Sequence, residues 1–491
     1  MGDQNTLLST RDARHLLRRT GFGTATTPAT ALTGLTRGAA ANKLLAFKPA
    51  GFVPRGSNMY RTHNSWVKYM VNVKYPLQEK LVLFWHDHFA TSNDKVADHR
   101  RMATQNKLLR LSCKGNFKSL VKAINKDGAM MEFLDTVRNY KDQPNENYAR
   151  ELLELFTLGV RDLAGQPTYT QADIVQIARA LTGWDWDHRE KTHFHDYDHD
   201  FADEFPERGP KVIFRTTGGF LPAGSGRDYT LPQGEGPGEI DRVIDILFEH
   251  RDSTGKNTVA RHIAKKMIEY FAHPLPGYPA DAAIVDEIVS RSQFAVTWNI
   301  AALVREILVD DFFYASNSPV PHTESTPKSV KWPIDFVIST LRTLKVTPRG
   351  VDAYISGGSY QSLYDQLGNM GQYLFYPPSV FGWDWETAWL SSASMLARYN
   401  FARDVTGARG SGRFFFHPER LINLNLTDPG AIVTAAATVL DIDEQITTAQ
   451  RNALIAYLGP GPLNLRDYDT RNAKLHGLFC LLLQCPASHL H

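Results

Sequence analysis

The chain has 491 residues, 43% of them hydrophobic and 22% charged, which supplies material for a large core and excludes a disordered polymer. Lys plus Arg 54 against Asp plus Glu 52 leaves a net charge of +2, so no overall field draws the protein to nucleic acid or to an anionic membrane. Cys113, Cys480 and Cys485 cannot build a disulfide framework and lack zinc spacing, so stability has to come from packing, with room for one bridge in an oxidising compartment.

The opening, MGDQNTLLSTRDARHLL, has no apolar core of signal-peptide type, which leaves either a cytoplasmic chain or a mature form whose leader has been removed. Helical spacing follows. The stretches 12–23, 77–89 after Pro76, and 170–184 from the capping-type Thr170 all read as helices. The segment 185–238 is rich in Gly, Pro, His and Asp, too polar for a core element, and reads as a long ordered loop with a hairpin near 211-KVIF-214. Helical patterns resume at 239–250, 258–272, 281–292, 300–310 and 330–344. The aromatic stretch 371–390, with two prolines, suits a packed corner or a ligand-binding wall, and Trp383, Trp385 and Trp389 could stack on a sugar. The apolar run 478-LFCLLLQC-485 is far short of the roughly 20 residues of a membrane span and reads as a core helix. These elements predict a mainly α protein: one large helical array over 1–491, with halves 12–184 and 239–491 joined by the loop 185–238. No internal repeat stands out.

Two stretches mix ionisable and apolar residues in a way that solvent does not explain. In 145-NENYARELLELFTLG-159, Glu151 and Glu154 share a helical face with Asn147 while leucines and Phe156 fill most of the circumference. Burying a carboxylate costs several kcal/mol without a partner, so each needs a reason. In 79-EKLVLFWHDHF-89, Glu79 and His86 point the same way, and His88 lies about 200° from His86 unless the helix ends there. Three readings stand. Glu79, His86, His88 and Glu151 hold a metal, as carboxylate and imidazole sets do inside helical bundles. The histidines instead close a buried polar network with the glutamates and Arg150. Or a Glu of raised pKa beside a His moves protons without metal.

A third candidate is 193-HFHDYDHDFADEFPE-207. Counted from Asp196, acidic residues fall at positions 1, 3, 5, 9 and 12, which includes Asp198, Asp200 and Glu207 and is the spacing of a calcium loop of EF-hand type. Phe201 stands where that loop needs Gly, and paired flanking helices are lacking. Oxygen ligands favour Ca²⁺, whereas His195 or His199 would favour Zn²⁺, Mn²⁺ or Fe. A solvated acidic loop is the alternative. No Walker loop, Gly-x-Ser-x-Gly elbow or proximal haem ligand is present, so neither nucleotide nor haem is expected.

Several blocks, 84-FWHDHFATS-92, 144-PNENYARELLELFTLG-159, 169-YTQADIVQIARALTGW-184 and the late YPPSVFGW and SMLARYN, resemble the large bacterial family called Domain of Unknown Function 1800, from about residue 12 to residue 405. His199, Asp200 and Lys211 stand for the looser HDxGxK element of that family, with longer spacing. The resemblance implies no agreed reaction. It implies export to the periplasm or beyond, often behind twin-arginine leaders, and a sulfatase-like partner protein. The leading expectation is a metal-dependent hydrolase of a polymeric or envelope-associated substrate, in which His86 and Glu151 hold the metal, Glu154 or Asp200 is the general base, and Arg150 or Lys211 stabilises an anionic intermediate. The alternatives are a non-catalytic envelope or assembly protein with a structural cation site, and a non-haem metal redox enzyme.

Overall fold

A computed structural model describes residues 4–186, 192–201, 207–215, 229–231, 234–315, 329–346, 351–352, 362–407 and 416–491. The chain is 59% helical, and only two small two-stranded sheets accompany the helices among the described residues, so the fold is mainly α.

The sequence patterns translate into helices with shifts of a few residues at their ends. Helix α1 (Thr10–Thr20) starts from a reciprocal capping box between Ser9 and Asp12. It is followed by α2 (Met59–Asn72), then α3 (Pro76–His88), whose proline sits in the first turn, where a missing N–H costs nothing. Next come α4 (His99–Ser112) and α5 (Asn147–Glu151), which runs into a π-helical turn, Leu152–Thr157. The Thr170 cap, closed by Asp173, opens α6 (Gln171–Ala180). Beyond the loop lie α7 (Glu239–Leu247), α8 (Thr258–Phe271), α9 (Ala280–Ser292), α10 (Pro333–Thr343) and α11 (Tyr468–Gln484). The run 478–485 belongs to α11, with Leu478, Phe479, Leu482 and Leu483 in the core. No described helix is long and apolar enough to cross a membrane.

Segment 185–238 carries two antiparallel hairpins. Strand β1 (Trp184–Trp186) pairs with β2 (Thr192–Phe194), and β3 (Val212–Ile213) pairs with β4 (Tyr229–Thr230). The second is the hairpin expected near Lys211 to Phe214.

Helix α3 is enclosed along its length, with every residue from Leu77 to His88 buried. That is why it carries polar side chains without an amphipathic stripe: no side faces water, so each polar group must find a partner inside. Lys80 does so across the chain, 2.7 Å from Asp335 of α10, and its carbonyl accepts from the Tyr270 hydroxyl of α8 at 2.9 Å. The Arg19 guanidinium of α1 caps the end of α8 through the Tyr270 and Phe271 carbonyls, both at 2.6 Å.

Burial leaves a set of histidines neutral. It lowers His86, His262 and His489 to about 3, and His63 and His250 to about 4. These groups take up protons only on unfolding, so their contribution to stability is complete above about pH 6.5 and is lost as the pH falls towards their folded values. Asp87 and Asp127, both raised to about 6 by burial, act in the opposite sense but are fewer. With a net uptake of at least two protons on unfolding, stability should fall by on the order of 3 kcal/mol between pH 6 and pH 5. Urea unfolding at the two pH values measures this, and a flat profile would contradict it.

Candidate functional site

Glu79 and the polar residues of the FWHDHF block turn out to be fasteners that tie α3 to several other elements. Both oxygens of Glu79 are taken by Arg110 of α4, at 2.9 and 2.8 Å, and the Trp66 indole of α2 donates to one of them at 2.7 Å. The His86 Nε2 accepts the Phe375 amide at 3.0 Å and lies edge-on among Trp66, Phe375 and Trp383. The Asp87 carboxylate accepts the Trp383 amide at 2.8 Å and the Trp385 indole at 2.9 Å. His88, where α3 ends, turns the other way. Its Nε2 is 3.3 Å from the Phe156 carbonyl and its Nδ1 is 3.2 Å from the Lys266 amine of α8. A carbonyl only accepts, so Nε2 carries the proton and Nδ1 receives from Lys266. The aromatic stretch 371–390 is therefore a packed corner over α3: Trp383 and Trp389 are buried, and Trp385 and Trp389 each pack on Trp332.

The NENYARELLELFTLG block departs from the regular helix that its spacing suggested. From Leu152 to Thr157 it is π-helical, with the Leu158 and Gly159 amides both donating to the Leu153 carbonyl at 3.0 Å. The end of this turn is capped by imidazoles. His262 of α8 lies 3.1 Å from the Leu155 carbonyl, next to the His88 contact with Phe156. Gly159 follows at φ +79°, and a Cβ there would stand 2.9 Å from His262 Nδ1, so the glycine is needed both for the turn and for the approach. Glu151 and Glu154 are half-buried. Glu154 accepts the Tyr169 hydroxyl and lies 3.7 Å from Arg150, which also pairs with Glu146 at 3.1 Å. Glu151 is raised to about 6, first by burial and then by the Glu154 charge, and its buried Oε2 has no hydrogen-bond partner among the described residues.

Between the π-helical turn and α8 opens a cleft of about 550 Å³. Glu154, Gly159, His262, Lys266 and Glu269 line one part of it, and the loops Arg161–Leu163 and Asp252–Thr258 contribute to the remainder. These loops are copies of one another, a repeat that the sequence reading passed over: 161-RDLAGQPT-168 and 251-RDSTGKNT-258. In each, the Asp amide donates to the carbonyl four residues on at 2.8 Å, and the Asp side chain takes the amide of that same residue, at 2.8 Å in the first loop and 3.1 Å in the second. The arginine reaches the loop glycine carbonyl, at 2.8 and 3.0 Å. The two loops dock through Ser253, whose amide and hydroxyl both go to Asp162. Of the cations on the cleft wall, Arg261 is tied to Asp252 and Asp286, and Lys265 lies 3.5 Å from Asp281. Lys266 makes no ion pair with a described carboxylate. Its hydrogen-bond partner is the neutral His88, and burial lowers its basicity, although the nearby charges of Asp87 and Glu269 oppose this. Burial raises Glu269. Sequence reading missed Lys266, His262 and Glu269 because they sit in an ordinary amphipathic pattern.

The His/Asp loop forms a separate assembly and does not line this cleft. Its inward residues are buried and committed: Asp200 is held by Arg179 at 2.9 and 3.2 Å and by Arg208 at 3.0 Å, and Lys211 by Glu239 at 2.6 Å and His199 at 3.3 Å. His199 closes on Thr182 through Nδ1. These hydrogen bonds and charges hold the Asp200 carboxyl below its ordinary value against the effect of burial. Asp196, His193, His195 and Glu207 face solvent, with Asp198 half-buried, so the calcium-type spacing is divided between an inner and an outer face. The remaining acidic position of that spacing, Glu204, lies outside the described residues. Among the described residues no three His, Cys, Asp or Glu side chains gather into a set able to hold a metal ion. Of the expected grouping, Glu79, His86 and His88 are divided among the separate partners given above, and Glu151 lies half-buried with its Oε2 unpartnered among the described residues.

A family model described as "Protein of unknown function (DUF1800)" matches residues 15–488. No curated protein and no solved structure matches the chain.

The Asp87 fastening predicts a local sensitivity. Gly382 has φ +84°, and a Cβ there would fall 2.3 Å from the Asp87 carboxylate and 2.8 Å from its backbone oxygen. Gly382→Ala should cost at least about 2 kcal/mol in urea unfolding, and Asp87→Ala in the same chain should recover only part of it, since strain and backbone clash remain. A neutral Gly382→Ala would contradict the packing of this corner on α3.

Proposed function

The chain belongs to the DUF1800 family, whose description carries no reaction, and from its own residues we propose that it is an enzyme whose reactive group is the Lys266 amine in the cleft beside α8. The observation that carries this reading is the pairing of Lys266 with a neutral imidazole instead of a carboxylate. An ammonium ion is stabilised by a carboxylate and destabilised by removal from water, so an amine at this position favours its uncharged, nucleophilic and basic form. The cleft is of the size that takes a small organic substrate.

Of the roles expected from the sequence, that of base passes from Asp200 to Lys266, with Glu154 on the same cleft wall and held in place by Tyr169 and Arg150. The reading draws on proton transfer and nucleophilic attack because the donor atoms that a helical metal set would use are, Glu151 Oε2 excepted, already engaged. His86 Nε2 accepts an amide, His88 Nε2 donates to a carbonyl, and the Glu79 oxygens are held by Arg110 and Trp66.

Amine-selective labelling of the folded protein with trinitrobenzenesulfonate at pH 7.5, resolved by peptide mass spectrometry, tests the proposal. Lys266 should react at least about tenfold faster than the exposed Lys68 and Lys95, which are ion-paired with Asp352 and Asp135. Reaction of Lys266 at or below the rate of those surface lysines would overturn it.

A further inference from the structure

The cleft holds, on one turn of one helix, both partners that a carbonyl condensation requires. Lys266 and Glu269 are three residues apart on α8 and both line the cavity, a spacing that puts them on the same face. The Lys266 amine gives a hydrogen to His88 Nδ1, and a tetrahedral nitrogen so anchored has its lone pair directed away from that imidazole. We propose that the ligand of this cleft is an aldehyde or ketone that forms an imine with Lys266, with Glu269 as the proton donor that expels water. The inference rests on the reactive-amine reading and adds the substrate class to it.

The step balances without any oxidant or further reactant. The Lys266 nitrogen bonds to the carbonyl carbon, the carbonyl π pair passes to oxygen, and a proton moves from nitrogen to that oxygen to give a carbinolamine. The carboxylic acid of Glu269 then protonates the hydroxyl, the C–O bond breaks, water leaves and the nitrogen lone pair completes the iminium. Glu269 suits the donor role because it lines the cavity three residues from Lys266 and burial shifts it towards the acid form. The iminium charge then lies where Lys266 already feels the carboxylates of Asp87 from α3 and Glu269 from its own helix. His262, Arg261 and Lys265 on α8, Glu154 on the π-helical turn, and Asp281 are among the other charged and titratable groups of the cleft.

The test is reductive trapping on the full chain. The protein is incubated with sodium cyanoborohydride and, separately, glyoxylate, pyruvate, propanal or benzaldehyde, and adducts are located by peptide mapping. The expected result is one dominant adduct, on Lys266, for at least one of the four, formed about tenfold faster than on Lys68 or Lys95. It should be absent from Lys266→Met and Lys266→Arg, the second of which keeps the positive charge should the first fail to fold. Glu269→Gln should slow trapping about 100-fold while leaving trinitrobenzenesulfonate labelling of Lys266 in place. If Lys266 labels fast but yields no carbonyl adduct above the level of the surface lysines, the carbonyl assignment fails and the reactive amine stands. If Lys266 neither labels nor traps, both readings fail.

Discussion

A π-helical turn is less stable than the α-helix it interrupts, and its end leaves carbonyls that need donors from outside the segment. Here the donors are two imidazoles. His88 from the end of α3 and His262 from α8 reach the Phe156 and Leu155 carbonyls, so the turn is held between two helices from distant parts of the chain. The consequences follow in order. His262 comes so close that the chain must leave through Gly159, the exit sets the direction of the first RDxxGxxT loop, and His88, with Nε2 committed, presents Nδ1 to Lys266. The cleft and its amine are the geometric result of this capping.

The same reasoning explains why the FWHDHF block looked like a catalytic set. A helix buried on all sides can keep polar groups only if each is satisfied, since an unmet buried donor or acceptor costs about 1–3 kcal/mol. Glu79 is satisfied by α4 with α2, Lys80 by α10, His86 and Asp87 both by the 371–390 corner, and His88 by the π-helical turn with α8. Five polar residues in ten positions thus specify how one helix is surrounded. Breaking one would leave its partner stranded, which makes such residues as sensitive to substitution as catalytic ones.

Much of the architecture could be read from residue spacing. Helices α1, α3 and α6 to α10 follow the helical spacing of the sequence, Thr170 marks its cap through Asp173, and the run 478–485 is a core helix because it is too short to span a membrane. What could not be read is where each polar side chain sends its hydrogen bond. The partners of His86, Asp87 and His88 lie at Phe375, Trp383 and Lys266, more than 170 positions away, and no local pattern carries that information. The π-helical turn escaped for a related reason, because His262 and His88, which meet its Leu155 and Phe156 carbonyls, come from distant parts of the chain. By contrast, the loop repeat at Arg161 and Arg251 was present in plain spacing, and it marks the cleft more directly than the acidic loop does. Asp200 and Lys211 illustrate the opposite case: chemically suggestive residues whose charges are already neutralised by Arg179, Arg208 and Glu239.

The cleft therefore depends on imidazole capping of the π-helical turn. Hydrogen exchange of the backbone amides in His88→Leu, compared with the parent chain, tests it most directly. Capping predicts that the Leu158 and Gly159 amides, which close the turn on Leu153, lose protection selectively while those in the interior of α6 and α11 keep theirs. Unchanged protection at Leu158 and Gly159 in a folded His88→Leu protein would show that the turn stands without the imidazole, and would contradict the account.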